Sequence, residues 1–226
     1  CLKEVFNQSF DDFEVIVVDN NSTDGTIKKA SRHPVKICSI NNYTPGRAIN
    51  TGISKSEGEY IVILSGHCIP TSDDWLSNLI EGLDDPDIAG VYGRQLPMSF
   101  SSAQDKRDLL ITFGLDRRIQ IKDSFFHNAN CAIKREMLNE IPFNEEVPSI
   151  EDRIWAGNVI KNGYKILYEP NAMVYHHHGI HHSNDQKRAN STLKVIEQLD
   201  DPDLRITGRI DPLKTKIIAL IPSIGE

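Results

Sequence analysis

Three groups of residues in this chain have types and spacings suited to chemistry. The first is Ser65-Gly66-His67-Cys68, which ends the apolar run 60–64 and precedes a proline. A histidine presented on a glycine at a strand end can ligate a divalent cation. The second is the acidic pair Glu151-Asp152 in "SIEDRIWAGNVIKNGY", ahead of Trp155. Carboxylates at a helix start are favoured by the helix dipole and can accept a proton. The same placement also suits a plain capping pair. The third is "VYHHHGIHH", which holds five of the eight histidines. His176 and His178 lie two apart and share one face of a strand, a face that could look toward His67. A solvated loop is the alternative.

Such residues need elements to position them. "FEVIVVDN" (13–20), "VKICSI" (35–40), "EYIVILSG" (59–66) and "IAGVYGRQL" (88–96) read as strands. Helices are expected between them: 1–10, a polar one capped by Ser22 or Thr23, then 46–56 and 73–83. That alternation implies βαβ units and a mostly parallel sheet. After Pro97 the rhythm breaks. One or two helices follow, then a strand leading into a helix at 125–141, a helix from Ile150, the strands "KILYEP" and "AMVYHH", and a helix near 186–199.

In an open parallel sheet, ligands collect beyond the carboxyl ends of the strands. Those ends present Asp19-Asn20-Asn21, then "NNYTPGR" with Arg47 at a helix start, then Ser65 to Cys68. A carboxylate can hydrogen-bond a base or ribose, and Arg can clamp phosphate. Asp19 is also read as a turn cap, Arg47 as a surface charge, Cys68 as packing, and Asp73 and Asp74 as helix caps.

The composition is that of a soluble globular domain, 39% hydrophobic and 25% charged among 226 residues. A net charge of -7 argues against a nucleic-acid partner. No apolar run reaches the length of a membrane span. The four cysteines are far apart and read as reduced thiols of an intracellular protein.

Several strings resemble, in order, the family 2 inverting glycosyltransferases of the GT-A fold. They are "VIVVDNNSTDGT", Asn50-Thr51-Gly52, "GEYIVILSGHCIP", and "ED…W…NGYKILYEP" continuing into "VYHHHG". The resemblance covers about residues 1–185 and implies an α/β, Rossmann-like three-layer sandwich. It implies a donor half (1–96) with Asp19, Asn21, Arg47, Asn50, Ser65, Gly66 and His67 at the nucleotide-sugar, a UDP- or dTDP-sugar. It implies an acceptor half (97–185) with Asp152 as general base, assisted by Glu151. Asn128 and Asn130 of "FFHNANCAIKRE" are then candidates for sugar hydroxyls, and Trp155 for stacking on the acceptor or packing in the core. The family's usual Asp-x-Asp motif is replaced here by Ser65 and His67. A metal shell of His67 with His178, or less favoured His176, then suits Mn²⁺ better than Mg²⁺. The acceptor is expected to be a saccharide or lipid-linked, in surface polysaccharide synthesis. The setting implied is cytoplasmic, with possible peripheral contact at the membrane face.

The family's usual first strand is absent, so a piece of a longer protein is expected. Residues 201–214 read as a linker. "KIIALIP" resembles the opening strand of a sugar cytidylyltransferase, or fills the vacant strand position. A nucleotidyltransferase and a non-catalytic sugar-binding module are the rival readings.

Overall fold

Runs of Val and Ile make the strands, because side chains branched at Cβ are stiff at χ1 and pack well on a pleated surface. The computed structural model describes residues 1–177 together with Lys194 and Val195. The order is α1 (Leu2–Val5), β1 (Ile16–Asp19), α2 (Thr26–Ala30), β2 (Lys36–Ser39), α3 (Pro45–Ser54), β3 (Tyr60–Leu64) and β4 (Cys68–Pro70). There follow α4 (Trp75–Glu81), β5 (Ile88–Pro97), α5 (Ala103–Thr112), β6 (Arg118–Gln120), β7 (Asn130–Lys134), α6 (Arg135–Glu140), α7 (Glu151–Lys161) and β8 (Lys165–His176). No helix among the described residues is long and apolar enough to cross a membrane.

The α/β architecture is as expected, but the main sheet is mixed rather than mostly parallel. β1 and β2 form a separate two-stranded parallel sheet. The six-stranded sheet runs β3-β7-β5-β8-β4, with β6 also on β8. Within it only β5–β8 is parallel; the β3–β7, β5–β7, β4–β8 and β6–β8 pairs are antiparallel. The reason is the break in rhythm after Pro97. After α5 and β6 the chain comes back as β7 running the other way, antiparallel to a neighbour on both sides, with Ala132 opposite both Val62 and Val91.

β4 and β6 were not expected. Both are three-residue strands that exist by pairing with β8. β8 is one irregular strand where two were read; its register against β5 shifts between Gly93 and Gln95. Gly93 sits where a side chain would collide with the Ala172 carbonyl and the Asn130 amide, so only glycine lets β8 come this close. α2 is capped by Gly25 in the left-handed conformation, φ 83°, not by Ser22 or Thr23. Asp74 stands at the N-cap of α4 without a side-chain capping bond. The helix near 186–199, the linker and "KIIALIP" lie outside the described residues, apart from Lys194 and Val195.

The sheet is packed on both faces. Trp75, Leu76, Leu79 and Leu83 cover one side, against Val91, Leu167 and Val174. Trp155, Phe126, Phe113 and Met137 cover the other, against Tyr92, Ile133 and Tyr168. Each fully buried Leu, Ile or Phe contributes about 1.5–3 kcal/mol of transfer free energy.

Candidate active site

The first strand end is a tight turn. Asp19 closes β1 and is buried; its Oδ2 accepts from the Ser22 N–H at 2.9 Å. Asn21 follows in the left-handed conformation, φ 55°, and its amide donates to the Ile40 carbonyl and the Asn41 side chain beyond β2. Asp19 therefore does cap its turn. A carboxylate has capacity for further donors beyond that one bond.

The third strand end carries the histidine. The Ser65 carbonyl accepts from Cys68 N–H at 2.8 Å, which closes the turn and turns Gly66 and His67 outward. The Ser65 N–H donates to the Ala129 carbonyl at 3.1 Å, tying this turn to the segment that enters β7. Register then chooses the partner histidine. Cys68 lies opposite His176, so the His176 imidazole stacks on that of His67 with centroids 4.9 Å apart. The two Nε2 atoms are 2.9 Å apart. That distance fits one shared N–H···N hydrogen bond and is also close to the span of two ligand atoms on one first-row cation. His176 is 1% exposed and His67 is open to solvent. His176 is thus the histidine that meets His67, and the favoured His178 lies outside the described residues. The Cys68 sulfur completes a possible ligand cluster. Burial pushes its thiol up to about 12, so at neutral pH it stays a weak, neutral neighbour. Two imidazoles without a carboxylate are a donor set for a divalent cation and a poor one for Mg²⁺, which prefers oxygen.

The acidic pair sits on the far side of Ala129. Ile150 precedes α7 in the left-handed conformation, φ 59°, an unfavourable state for a residue branched at Cβ. This bend opens α7 with Glu151 and Asp152 in its first turn. Asn128 holds both. Its amide donates to Glu151 Oε1 at 3.1 Å, and its backbone N–H donates to Asp152 Oδ2 at 3.3 Å. The Cys131 thiol contacts Asn128 Oδ1 from below at 3.6 Å. Burial, with the Asp152 charge beside it, pushes that thiol well above its usual range. Glu151 is buried, whereas Asp152 is half-exposed. Of the pair, Asp152 is the one an incoming group can reach.

Other expected site residues belong to the scaffold. Asn130 is fully buried; it accepts from Trp75 Nε1 at 2.9 Å and donates to the Ala172 carbonyl at 2.9 Å. Trp155 is 1% exposed, donates to the Ile141 carbonyl and packs on Phe126 and Phe143. Neither presents a surface to a sugar. Asn50 exchanges hydrogen bonds with the Phe143 backbone and donates to Glu145. The Arg47 guanidinium donates to the Asn42 carbonyl at 2.6 Å and lies 3.5 Å from Glu145. Gly46 allows the close approach of the Asn144 carbonyl beneath them. This group fastens α3 to the 143–145 segment.

Two features escaped the sequence reading. His127 lies between the sites: its ring is 6.2 Å from that of His176, and the next residue is Asn128. A histidine directly before that asparagine was the available signal. On β5, Gln95 is fully buried and neither amide atom has a partner among the described residues; the same holds there for the buried Arg94 Nε and, on α5, for Asp108 Oδ2. Nothing in the strand pattern of "GVYGRQLP" marks them.

The architecture and the strand-end site define a GT-A-type glycosyltransferase domain. A mannosyltransferase from Pyrobaculum calidifontis, solved with GDP-Man and Mn²⁺, shares the fold with a TM-score of 0.65 at 21% identity, covering 88% of this chain and 58% of that one. The Staphylococcus aureus TarS 1-349 structure with UDP-GlcNAc does so with a TM-score of 0.58 at 18% identity, covering 88% of this chain and 61% of that one. The sequence places the chain more closely. It belongs to glycosyl transferase family 2, whose sequence model matches residues 1–142. An O-antigen chain rhamnosyltransferase of Salmonella typhimurium is 30% identical over 188 residues, 73% of this chain and 57% of its own length. A Methanococcus voltae dolichyl N-acetyl-alpha-D-glucosaminyl phosphate 3-beta-D-2,3-diacetamido-2,3-dideoxy-beta-D-glucuronosyltransferase is 26% identical over 192 residues, 76% of this chain and 60% of its own length. The chain thus spans just over half the length of these curated relatives. These relatives support sugar transfer and lend nothing to a nucleotidyltransferase.

Proposed function

We propose that the chain carries the catalytic domain of an inverting glycosyltransferase of surface polysaccharide synthesis. It moves a sugar from a nucleotide-sugar, a UDP- or dTDP-sugar, to a hydroxyl of a saccharide or lipid-linked acceptor at the cytoplasmic membrane face. The observation that carries this reading is the grip of Asn128 on Glu151 and Asp152 beside the histidine turn.

The step follows from that grip. Asp152 takes the proton of the acceptor hydroxyl as its oxygen bonds to the anomeric carbon. The bond from that carbon to the diphosphate breaks on the opposite face, and the nucleoside diphosphate leaves with the electron pair. One displacement inverts the centre and needs no covalent intermediate. Glu151, buried and bonded to Asn128, orients the pair. Asp19 and Asn21 hold the nucleoside end. His67 and His176 would hold the divalent cation, which supplies positive charge to the leaving diphosphate when bound. Mn²⁺ is expected to support turnover better than Mg²⁺, since imidazole replaces carboxylate; equal rates with both ions would remove the imidazole shell from this account.

The test is Asp152→Asn, assayed for sugar transfer and, by calorimetry, for nucleotide diphosphate affinity. Turnover is expected to fall by about 10²–10⁴-fold with affinity kept. Wild-type turnover in this variant would return the pair to a helix-capping role. A protein that binds nucleotide but never transfers sugar would instead be the binding module.

A further inference from the structure

Large apolar side chains are exposed in one concentrated stretch of the described surface. Leu110 (54%), Ile111 (68%), Leu115 (71%), Ile119 (55%) and Ile121 (60%) all fall within residues 110–121, from the end of α5 through β6. The local structure turns them outward. On α5, Leu109 enters the core while Leu110 and Ile111 face away. On β6, Gln120 points inward to accept from the Tyr92 hydroxyl, which leaves Ile119 and Ile121 together on the outer face. A single exposed leucine needs no explanation, but five in one segment do.

The surround is basic. Among residues 105–123 the exposed charges are Arg107, Arg117, Arg118 and Lys122 against Asp116 and Asp123, with Lys106 and Asp108 half-buried and Asp105 buried, in a chain of net charge -7. Arg117 pairs with Glu169, Arg118 lies over the Tyr168 ring, and Lys106 donates to the Ser99 carbonyl. Arg107 and Lys122 are exposed. An apolar centre with a cationic surround complements an anionic lipid surface: the hydrocarbon enters the acyl boundary and the cations meet phosphate. A second copy of the chain fits less well, because a two-fold contact sets these cations against themselves.

The stretch also leads to the active site. Phe113, buried within it, and Phe125, just after it, lie 6.0 and 6.4 Å from the His127 ring. His127 in turn meets His176, and its neighbour Asn128 holds Asp152.

We propose that residues 110–121 dock the protein on an anionic phospholipid bilayer, with the acceptor side of the active site next to the membrane. The docking stands on this surface alone; only its link to a lipid-linked acceptor rests on the proposed function. The test is sedimentation of the whole chain with vesicles of phosphatidylcholine, with and without phosphatidylglycerol. Binding is expected only with the anionic lipid, and it should weaken as salt is raised. Leu115→Asp combined with Ile119→Asp, and separately Arg107→Glu combined with Lys122→Glu, should each lower partitioning about tenfold or more. Melting temperature and nucleotide affinity, expected to be unchanged, report that the variants are folded. The proposal is overturned if anionic vesicles capture nothing, or if both double variants sediment like the parent. It is equally overturned if light scattering shows a dimer that Leu115→Asp dissolves, since the surface then belongs to a second copy. Vesicle capture without any nucleotide binding would sink the donor reading and leave the docking intact.

Discussion

The proposed donor and acceptor sides of the candidate active site are built differently. On the donor side, Asp19 bonds three residues along its own turn, Asn21 reaches the neighbouring loop, and His67 stands open on a glycine turn. The β1–β2 pair that carries Asp19 and Asn21 has no strand pairing with the main sheet among the described residues, whereas His67 stands between β3 and β4 of that sheet. On the acceptor side, Asn128, Asn130, Glu151 and Trp155 are all buried. Their hydrogen bonds reach 23, 55 and 42 residues along the chain, to Glu151, Trp75 and Ala172. The proposed donor side is open and held by local bonds, and the proposed acceptor side is closed by folding. A nucleotide can order a loop on arrival, but a general base must already be held in place when the acceptor comes.

This contrast can be broken by experiment. The largest effect is expected from Trp155→Ala, at about 3–5 kcal/mol of lost stability, because it empties the core beneath α7. Urea unfolding measures it. A loss near zero would mean that the acceptor side is not set by packing. Asp19→Ala is expected to act the other way. It should weaken nucleotide diphosphate binding roughly 10-fold, the loss of a charge-assisted hydrogen bond worth about 1.5–3 kcal/mol, with Asp152-dependent chemistry kept. Unchanged affinity in calorimetry would leave Asp19 as a turn cap alone. The smallest effect concerns Glu14 and Lys36, which join the entry of β1 to β2 at 2.8 Å. The Lys36 hydrogen bond holds the Glu14 carboxyl below its ordinary value. The pair therefore stabilises the fold fully above that value and loses its contribution as pH falls through the lowered one. Glu14→Gln should flatten a small part of the acid limb of a melting curve; a steeper limb would contradict the sign.

The same contrast explains what was legible in the sequence. β1 and β3 are apolar runs whose ends announce Asp19 and His67, so the proposed donor side can be read locally. β4 and β6 are defined only by β8 across more than forty residues, and no local pattern encodes them. Strand parity treats His176 and His178 alike; the register Cys68↔His176 selects the first. Parity also pairs Asn128 with Asn130, but β7 begins at Asn130. Asn128 lies on the turn before it and faces the carboxylates, while Asn130 faces the core. Trp155 follows the acidic pair by one helical turn, on the side of α7 that also buries Glu151, so it packs in the interior rather than lining a pocket.

Ile150 carries a further consequence, for the evolution and engineering of this domain. Its left-handed backbone costs about 1–3 kcal/mol in a residue of this kind. Gly or Asn would adopt that conformation with far less strain. A search for thermostable variants should therefore select this position early. Asn would keep the bend ahead of the proposed base Asp152, whereas Gly would also free other backbone states there, so with Gly a gain in heat resistance is expected to cost speed of transfer.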